Sequence, residues 1–185
     1  MPPRISKLMP DHLKNPGGDE DRKEHSIFRE STAADETAIR EILHEANLSF
    51  YSSADRSNDP SNKRGNKSGS AALPAIGSTF VYLCELNGEV VAVLQWRHLG
   101  QETEILDVAV PTRHRRKGYA RLLLKNFLAL AQKRGTSEIF LEVRESNVAA
   151  LALYREFGFE AAGRRPNYYR DPLEAALLLR LKITG

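Results

Sequence analysis

The order of segments between residues 106 and 159 constrains the fold more than any other feature of the sequence. An apolar stretch, Leu106–Val110, leads through a basic, glycine-containing turn into a helical pattern over Lys117–Arg134. A second strand pattern, Glu138–Arg144, and a second helical pattern, Asn147–Phe157, follow. Two strands joined through a helix normally lie parallel in one sheet. The chain is therefore expected to contain one crossover unit.

The remaining strand patterns favour antiparallel pairing. Asn87-Gly88 is the strongest hairpin signal, because both central residues of a type I′ turn need positive φ. We therefore predict an α+β fold with a mixed, mostly antiparallel central sheet and helices on both faces. The predicted elements outside the crossover unit are strands Ser26–Ser31, Phe80–Leu86, Glu89–His98, Glu104–Val110, Phe159–Arg164 and Glu174–Ile183, and helix Asp35–Leu48.

Composition divides the chain into a tail, a domain and an insertion. Residues 1–25 carry prolines, paired glycines and mixed charges without apolar periodicity, which predicts a disordered tail. Residues 26–185 are predicted to form a single domain. Within it, residues 52–78 are rich in Ser, Asn, Gly and Lys and predict a flexible insertion, either without a role or serving as a wall or lid beside a substrate cleft.

Several classes of protein are disfavoured. The single cysteine, Cys84, lies in an apolar run and has no intrachain partner, which fits a reducing cytoplasm. The five histidines are scattered without a metal-binding motif, so we predict no metal. The apolar stretches are too short to cross a bilayer, and no membrane partner is expected.

The turn Arg115–Ala120 follows a strand and opens a helix. Free backbone N–H groups and the positive end of the helix dipole converge at such a point and bind anions. Gly118 allows close approach of a pyrophosphate, Tyr119 and small Ala120 continue the turn, and Arg115, Arg116 and Lys117 add charge. Dinucleotide-binding and nucleoside-triphosphate motifs are absent, and no base-stacking pattern accompanies the basic residues, so a phosphorylated small molecule is favoured over nucleic acid.

Together these segments resemble the Gcn5-related N-acetyltransferases (GNAT), and within them the RimI type, which acetylates ribosomal-protein N-terminal alanine. The resemblance implies the GNAT acyl-coenzyme A (CoA) fold, acetyl-CoA as co-substrate and an acyltransferase activity. It further implies that Val108, Ala109 and Val110 pair with the pantetheine arm, and that Asn147 touches the cofactor. Asn147 is equally expected as a helix N-cap. The segments that carry the resemblance are L-D-V-A-V (106–110), R-R-K-G-Y-A (115–120), L-E-V-R-E-S-N (141–147), A-L-Y (152–154), F-G-F (157–159) and R-P-N-Y-Y (165–169).

Acetyl transfer to an amine needs a proton acceptor for the amine and a donor for the departing thiolate. The resemblance assigns the acceptor to Glu142 and the donor to Tyr154. The alternatives are a strand glutamate paired with an arginine and a helix tyrosine packed among phenylalanines. Three further carboxylates near the preceding strand are reserve bases: Glu102, Glu104 and Asp107.

The acceptor amine is open at this point. A free α-amine titrates near 7.7 to 8.0 and a lysine near 10.4, so a modest base suits a protein N-terminus better. Tyr168 and Tyr169 are predicted to lie on the loop joining the last two strands, leaning over the incoming peptide. A lysine or small-amine acceptor, and a binding module without turnover, are the alternatives.

Overall fold

The computed structural model describes residues 26–48 and 77–183. Within these residues, seven strands form one sheet in the order β1-β2-β3-β4-β5-β7-β6. Every neighbouring pair is antiparallel except β4 and β5, which are parallel. The predicted mixed, mostly antiparallel sheet is confirmed. The strands are β1 Ser26–Glu30, β2 Thr79–Leu86, β3 Glu89–Leu99, β4 Glu102–Ala109, β5 Glu138–Arg144, β6 Glu160–Arg170 and β7 Leu173–Lys182.

In the part of the chain that the structure describes, three α-helices cover the sheet, with short 3-10 turns at Ala33–Asp35 and Thr112–His114. Helix α1 (Glu36–Glu45) packs Ile39, Ile42 and Leu43 on one face of the sheet. The other face carries the larger core, to which α2 and α3 contribute. The prediction of helices on both faces is therefore confirmed. Helix α2 is Tyr119–Lys133 and helix α3 is Val148–Glu156.

The β2–β3 hairpin turns as the sequence predicts. Asn87 has φ +52° and Gly88 has φ +82°, the positive values that a type I′ turn requires. Helix α2 begins two residues later than Lys117, the predicted start, because Gly118 itself has φ +86° and cannot belong to a right-handed helix.

The predicted tail, residues 1–25, lies outside the described residues, as does residues 52–76 of the predicted insertion. Among the residues that are described, no helix combines the length and apolar character needed to cross a membrane. In the same residues, no group of three His, Cys, Asp or Glu side chains is placed to hold a metal ion. Cys84 is buried, and burial raises the pKa of its thiol to about 11.

Candidate active site

Strands β4 and β5 separate part-way along their length. Their parallel pairing begins at Glu102 and Glu138 and ends at Ile105 and Leu141. Beyond that point β4 pairs only with β3, up to Ala109, and β5 pairs only with β7. Both strands therefore present unpaired backbone edges to each other across a V-shaped opening, here called the gap. Unpaired edges of this kind can form ladder hydrogen bonds with an extended ligand.

A β-bulge in β4 lies where the gap begins. Trp96 pairs with Ile105 and Gln95 with Asp107, so Leu106 is the extra residue. An extra residue reverses the alternation of side chains between the two faces. Val108 consequently packs into the larger core, whereas Asp107 points to the face that carries α1. The bulge thus brings a carboxylate to one side of the gap.

The basic turn leads from the end of β4 into α2. Gly118 adopts φ +86° and Arg116 adopts φ +61°, which bends the backbone around the start of the helix. The first helical hydrogen bond runs from Leu122 N–H to the Gly118 carbonyl. The N–H groups of residues 118–121 have no acceptor within the part of the chain that the structure describes. They leave an anion-binding helix N-terminus open to a ligand.

Side chains around this turn divide into exposed cations and structural supports. Arg116 and Lys117 are exposed, as expected for residues that contribute charge. Arg115 Nε donates to the Val110 carbonyl at 3.0 Å and so ties the turn to the end of β4. Tyr119 is buried with its ring against His114, which leaves its backbone N–H as the group able to meet a phosphate.

Asn147 is the N-cap of α3. Its side-chain oxygen accepts from the Ala150 N–H at 3.1 Å. The capping role expected as an alternative is therefore confirmed. The cap uses only the carbonyl oxygen, so the two side-chain N–H donors remain for a ligand.

Tyr154 lies in the larger core on α3, opposite the face that carries Asp107. Its ring packs edge-on against Phe159 at 5.5 Å between centroids. The pKa of Tyr154 is raised, mainly by burial and further by electrostatic interaction with Asp107 and Tyr169. The phenol therefore keeps its proton at neutral pH and lies within electrostatic range of both groups.

Glu142 lies on β5 immediately beyond the last residue paired with β4. Its neighbours Leu141 and Val143 point into the larger core, so the glutamate faces the other side, as the alternation predicts. Glu142 Oε1 forms an ion pair with Arg165 Nη1 at 2.7 Å. A hydrogen bond with Glu142 also raises the pKa of Tyr168 to about 12. The alternative expected for Glu142, an ion pair with an arginine, is thus confirmed.

The prediction that Tyr168 and Tyr169 occupy a loop is wrong. Strand β6 continues to Arg170, and the connection to β7 is only the Asp171-Pro172 turn. Pro166 cannot donate to the ladder and Asn167 has φ +54°, so the strand is irregular between Arg165 and Tyr169 but then pairs again. Both tyrosines still lie near the gap. Tyr168 shares a hydrogen bond with Glu142. The pKa of Tyr169 is raised mainly by burial and further by the charges of Glu142 and Asp107, which places its ring near both carboxylates.

Two polar residues near the gap escaped the sequence reasoning. Gln95 is fully buried on β3, and its Nε2 donates to Asp107 Oδ2 at 3.2 Å. Arg144 places its guanidinium 4.0 Å from the centre of the Tyr169 ring and donates to the Asp171 carbonyl at 2.9 Å. A lone glutamine within the apolar run Val90–Trp96 was the available signal for the first. Arg144 had none, because its partners are distant in sequence.

The geometry can be compared with known proteins. The family model described as acetyltransferase (GNAT) family matches residues 38–159, more than half of the chain. The chain belongs to this family. The predicted GNAT fold and the predicted enzyme class, an acyltransferase, are thereby confirmed. The gap and the open helix N-terminus lie within the matched residues.

Individual GNAT proteins show the same likeness. The chain is 37% identical over 100 residues to the ribosomal protein bS18-alanine N-acetyltransferase of Escherichia coli K12, which covers 53% of this chain and 68% of that protein. The crystal structure of the E. coli ribosomal-protein-S18-alanine N-acetyltransferase superposes with a TM-score of 0.69 at 26% identity, covering 86% of this chain and 95% of that one. A GNAT acetyltransferase from Elizabethkingia anophelis with acetyl-CoA bound shares the fold, with a TM-score of 0.58 at 16% identity over 86% and 99% of the two chains. The resemblance to RimI-type GNAT proteins is therefore confirmed.

The residues present fit the acetyl-CoA that GNAT enzymes use. A pyrophosphate needs clustered donors and positive charge, which the N–H groups of residues 118–121 and the exposed Arg116 and Lys117 supply. A pantetheine arm carries amides that need backbone partners, which the unpaired edge of β4 beyond Leu106 supplies. The site therefore offers partners for both the pyrophosphate and the pantetheine arm of acetyl-CoA.

Proposed function

We propose that this protein transfers the acetyl group of acetyl-CoA to the α-amine of a protein N-terminus. The observation that carries the proposal is the gap between β4 and β5, with the phenol of Tyr154 on one side and the carboxylates of Asp107 and Glu142 on the other. A thioester threaded through this opening meets a proton donor on one face of the sheet and proton acceptors on the other.

The proposed acceptor is the N-terminal alanine of a small-subunit ribosomal protein. The E. coli relative is named for that reaction on bS18 and is 37% identical over the aligned residues. The chemistry of the site supports an α-amine, because such a group is about two to three pKa units easier to deprotonate than a lysine. Tyr168, which is 46% exposed, and Tyr169 offer hydroxyls to the backbone of the incoming peptide.

Binding of the co-substrate is proposed for residues on β4, the turn and the start of α3. The backbone of Val108, Ala109 and Val110 pairs with the pantetheine arm, and the turn from Arg115 to Ala120 holds the pyrophosphate. Asn147 contributes its side-chain N–H donors.

Proton movement at the gap follows from the environments of the two groups. Tyr154 is the proposed donor to the departing thiolate, since burial keeps its phenol protonated. The resemblance assigns the proton acceptor to Glu142, one of the two carboxylates that border the gap. A backbone N–H of β4 is proposed to polarise the thioester carbonyl.

The test is mass spectrometry after the full chain is incubated with acetyl-CoA and, in separate reactions, with each of two matched peptides and with a polyamine. One peptide begins with a free alanine, and the other carries the same sequence with a blocked terminus and an internal lysine. We expect one acetyl group on the first peptide and none on the second. Acetylation of the lysine peptide alone, or of a polyamine alone, would overturn the proposed acceptor, and absence of transfer to any amine would overturn the enzyme proposal.

The proposed biological setting follows from the chemistry of Cys84. A single unpaired, buried thiol suits a reducing compartment, and we propose a cytoplasmic enzyme acting on newly made ribosomal protein. The family match over residues 38–159 supports the proposal of a single acetyltransferase domain over residues 26–185.

A further inference from the structure

We propose that Asp107, in place of Glu142, takes the proton from the acceptor amine, with Gln95 holding its carboxylate in position. The inference rests on the proposed function and revises only its proton acceptor. Glu142 then serves as an anchor that fixes Arg165 and Tyr168 beside the acceptor.

The backbone places Asp107 where an amine must arrive. Asp107 follows the β-bulge at Leu106, lies beyond the pairing of β4 with β5, and shares the α1 face with Ala109. Without the extra residue, position 107 would share a face with Ile105 and point into the larger core. The bulge therefore turns this carboxylate from the larger core to the α1 face of the gap.

The two carboxylates at the gap differ in their partners. Glu142 is bound to the guanidinium of Arg165 at 2.7 Å and shares a hydrogen bond with Tyr168. Asp107 has no ion pair within the described ranges, and it accepts a hydrogen bond from the uncharged amide of Gln95 at 3.2 Å. Glu142 is therefore already engaged by a cation, whereas Asp107 can still pair with an incoming ammonium group. Asp107 is therefore the better proton acceptor of the two.

The environment of Asp107 also raises its proton affinity toward that of the α-amine from which it takes a proton. Burial raises the pKa of Asp107 from 3.8 to about 6, against the opposing effect of the Gln95 hydrogen bond. Taking a proton from an α-amine of pKa about 8 is then uphill by about 100-fold, compared with about 10,000-fold for an ordinary aspartate. Proton transfer at neutral pH becomes correspondingly more accessible.

The charged and titratable groups around Asp107 come from three elements. Tyr154 of α3 and Tyr169 of β6 both have their pKa raised by its charge, and Glu142 of β5 acts on the same Tyr169. These neighbours are neutral phenols, an anion and the guanidinium of Arg144, which lies against the ring of Tyr169. The pKa of Asp107 responds only to burial and to the Gln95 hydrogen bond, so the guanidinium does not neutralise the carboxylate, which can pair with an incoming ammonium group.

The proposed step balances in atoms and charge. Asp107 takes one proton from the ammonium group, and the neutral nitrogen forms a bond to the acetyl carbon. The bond from that carbon to sulfur breaks, and Tyr154 gives its proton to the sulfur. Tyr154 regains a proton from the nitrogen, which has become cationic, and Asp107 releases its own proton to solvent. The products are the amide, the thiol of CoA and one proton.

The experiment compares the full-length wild-type chain with Asp107→Asn, Glu142→Gln and Glu160→Gln. Each change removes one carboxylate with little change of shape, and Glu160 is an exposed residue at the far end of β6. The turnover number is measured from pH 5 to pH 9 with saturating acetyl-CoA and an alanine-terminated peptide, or with whichever amine the wild type acetylates. Calorimetry of acetyl-CoA binding checks that each variant is folded and competent.

We expect the wild-type turnover number to fall below about pH 6, and Asp107→Asn to lower it by about 100-fold or more and move the acid limb to higher pH. Glu142→Gln should keep the limb near pH 6 and mainly raise the KM for the peptide, and Glu160→Gln should match the wild type. The proposal is overturned if Asp107→Asn keeps the limb and turns over within about threefold of wild type while Glu142→Gln loses both. A wild type that acetylates no amine at any pH overturns this inference together with the proposed function, whereas a wild type active only on lysine overturns the acceptor and not the base.

Discussion

Replacing Asp107 by asparagine should make the ligand-free protein more stable. The gain should appear only as pH rises above the pKa that this carboxyl has in the unfolded chain. Burial raises the pKa of this carboxyl to about 6 from an unfolded value of 3.8. A group whose pKa is raised by folding contributes its full stability below the unfolded pKa and loses it as pH rises to the folded pKa. The wild type therefore loses stability between about pH 4 and pH 6, and the asparagine variant, which has no charge to bury, does not.

The magnitude follows from the size of the shift. From 3.8 to about 6 is about two pKa units, and each unit corresponds to 1.36 kcal/mol, so the full difference is about 3 kcal/mol. The side chain is only partly buried, so solvent screening reduces this value, and we expect about 1 to 3 kcal/mol above pH 7. For a chain of 185 residues this corresponds to about 3 to 10 °C in Tm.

Urea unfolding monitored by circular dichroism at pH 4.5, 6 and 8 measures the effect directly. Glu160→Gln is the matched control, because it removes an exposed carboxylate from the same sheet. The difference in free energy of unfolding between Asp107→Asn and wild type should grow from pH 4.5 to pH 6 and stay level above. A variant that is less stable than wild type at pH 8, or a difference that does not change with pH, would refute the reasoning.

Three further predictions concern the donor, the turn and the start of α1. Tyr154→Phe should lower the turnover number about 100-fold and change the Kd for acetyl-CoA less than about threefold, as measured by steady-state kinetics and calorimetry. Gly118→Val should weaken acetyl-CoA binding at least about tenfold, whereas Gly135→Val, which strains a glycine of similar φ at the other end of α2, should cost comparable stability and leave the affinity unchanged. Asp35→Asn should cost about 1 to 3 kcal/mol at pH 7 because Asp35 accepts two hydrogen bonds from Arg29; since those bonds lower the pKa of Asp35, the cost should shrink as pH falls below about 4, and an equal cost at low pH in acid denaturation would contradict the assignment.

The elements whose order and period are local could be predicted from the sequence. The hairpin at Asn87-Gly88 followed from the positive φ that its turn needs, and β5 was predicted with the bounds that the structure has. The open N-terminus of α2 followed from a glycine placed between a strand and a helical pattern. In each case a few consecutive residues determine the conformation.

What the sequence could not supply depends on pairing between distant strands. The bulge at Leu106 is defined by its register with β3, and no local signal in β4 marks it. Without it, Asp107 was one reserve base among three and not the carboxylate that reaches the gap. The length of β6 was missed for a similar reason, because Pro166 and Asn167 suggest a loop, whereas pairing with β7 resumes at Tyr169.

The location of the site follows from the one parallel pair among the described strands. Parallel neighbours require a crossover, and here the crossover helix α2 begins at the end of β4 where the gap opens. A helix N-terminus suited to a pyrophosphate and an unpaired strand edge suited to an extended arm are therefore brought together by topology alone. The choice of acceptor amine and its deprotonation depend separately on the few side chains that the bulge and β6 bring to the α1 face of the gap. Substitutions at those positions should therefore change the proton acceptor or the acceptor amine while acetyl-CoA affinity remains, which is the separation that the Asp107 and Gly118 variants test.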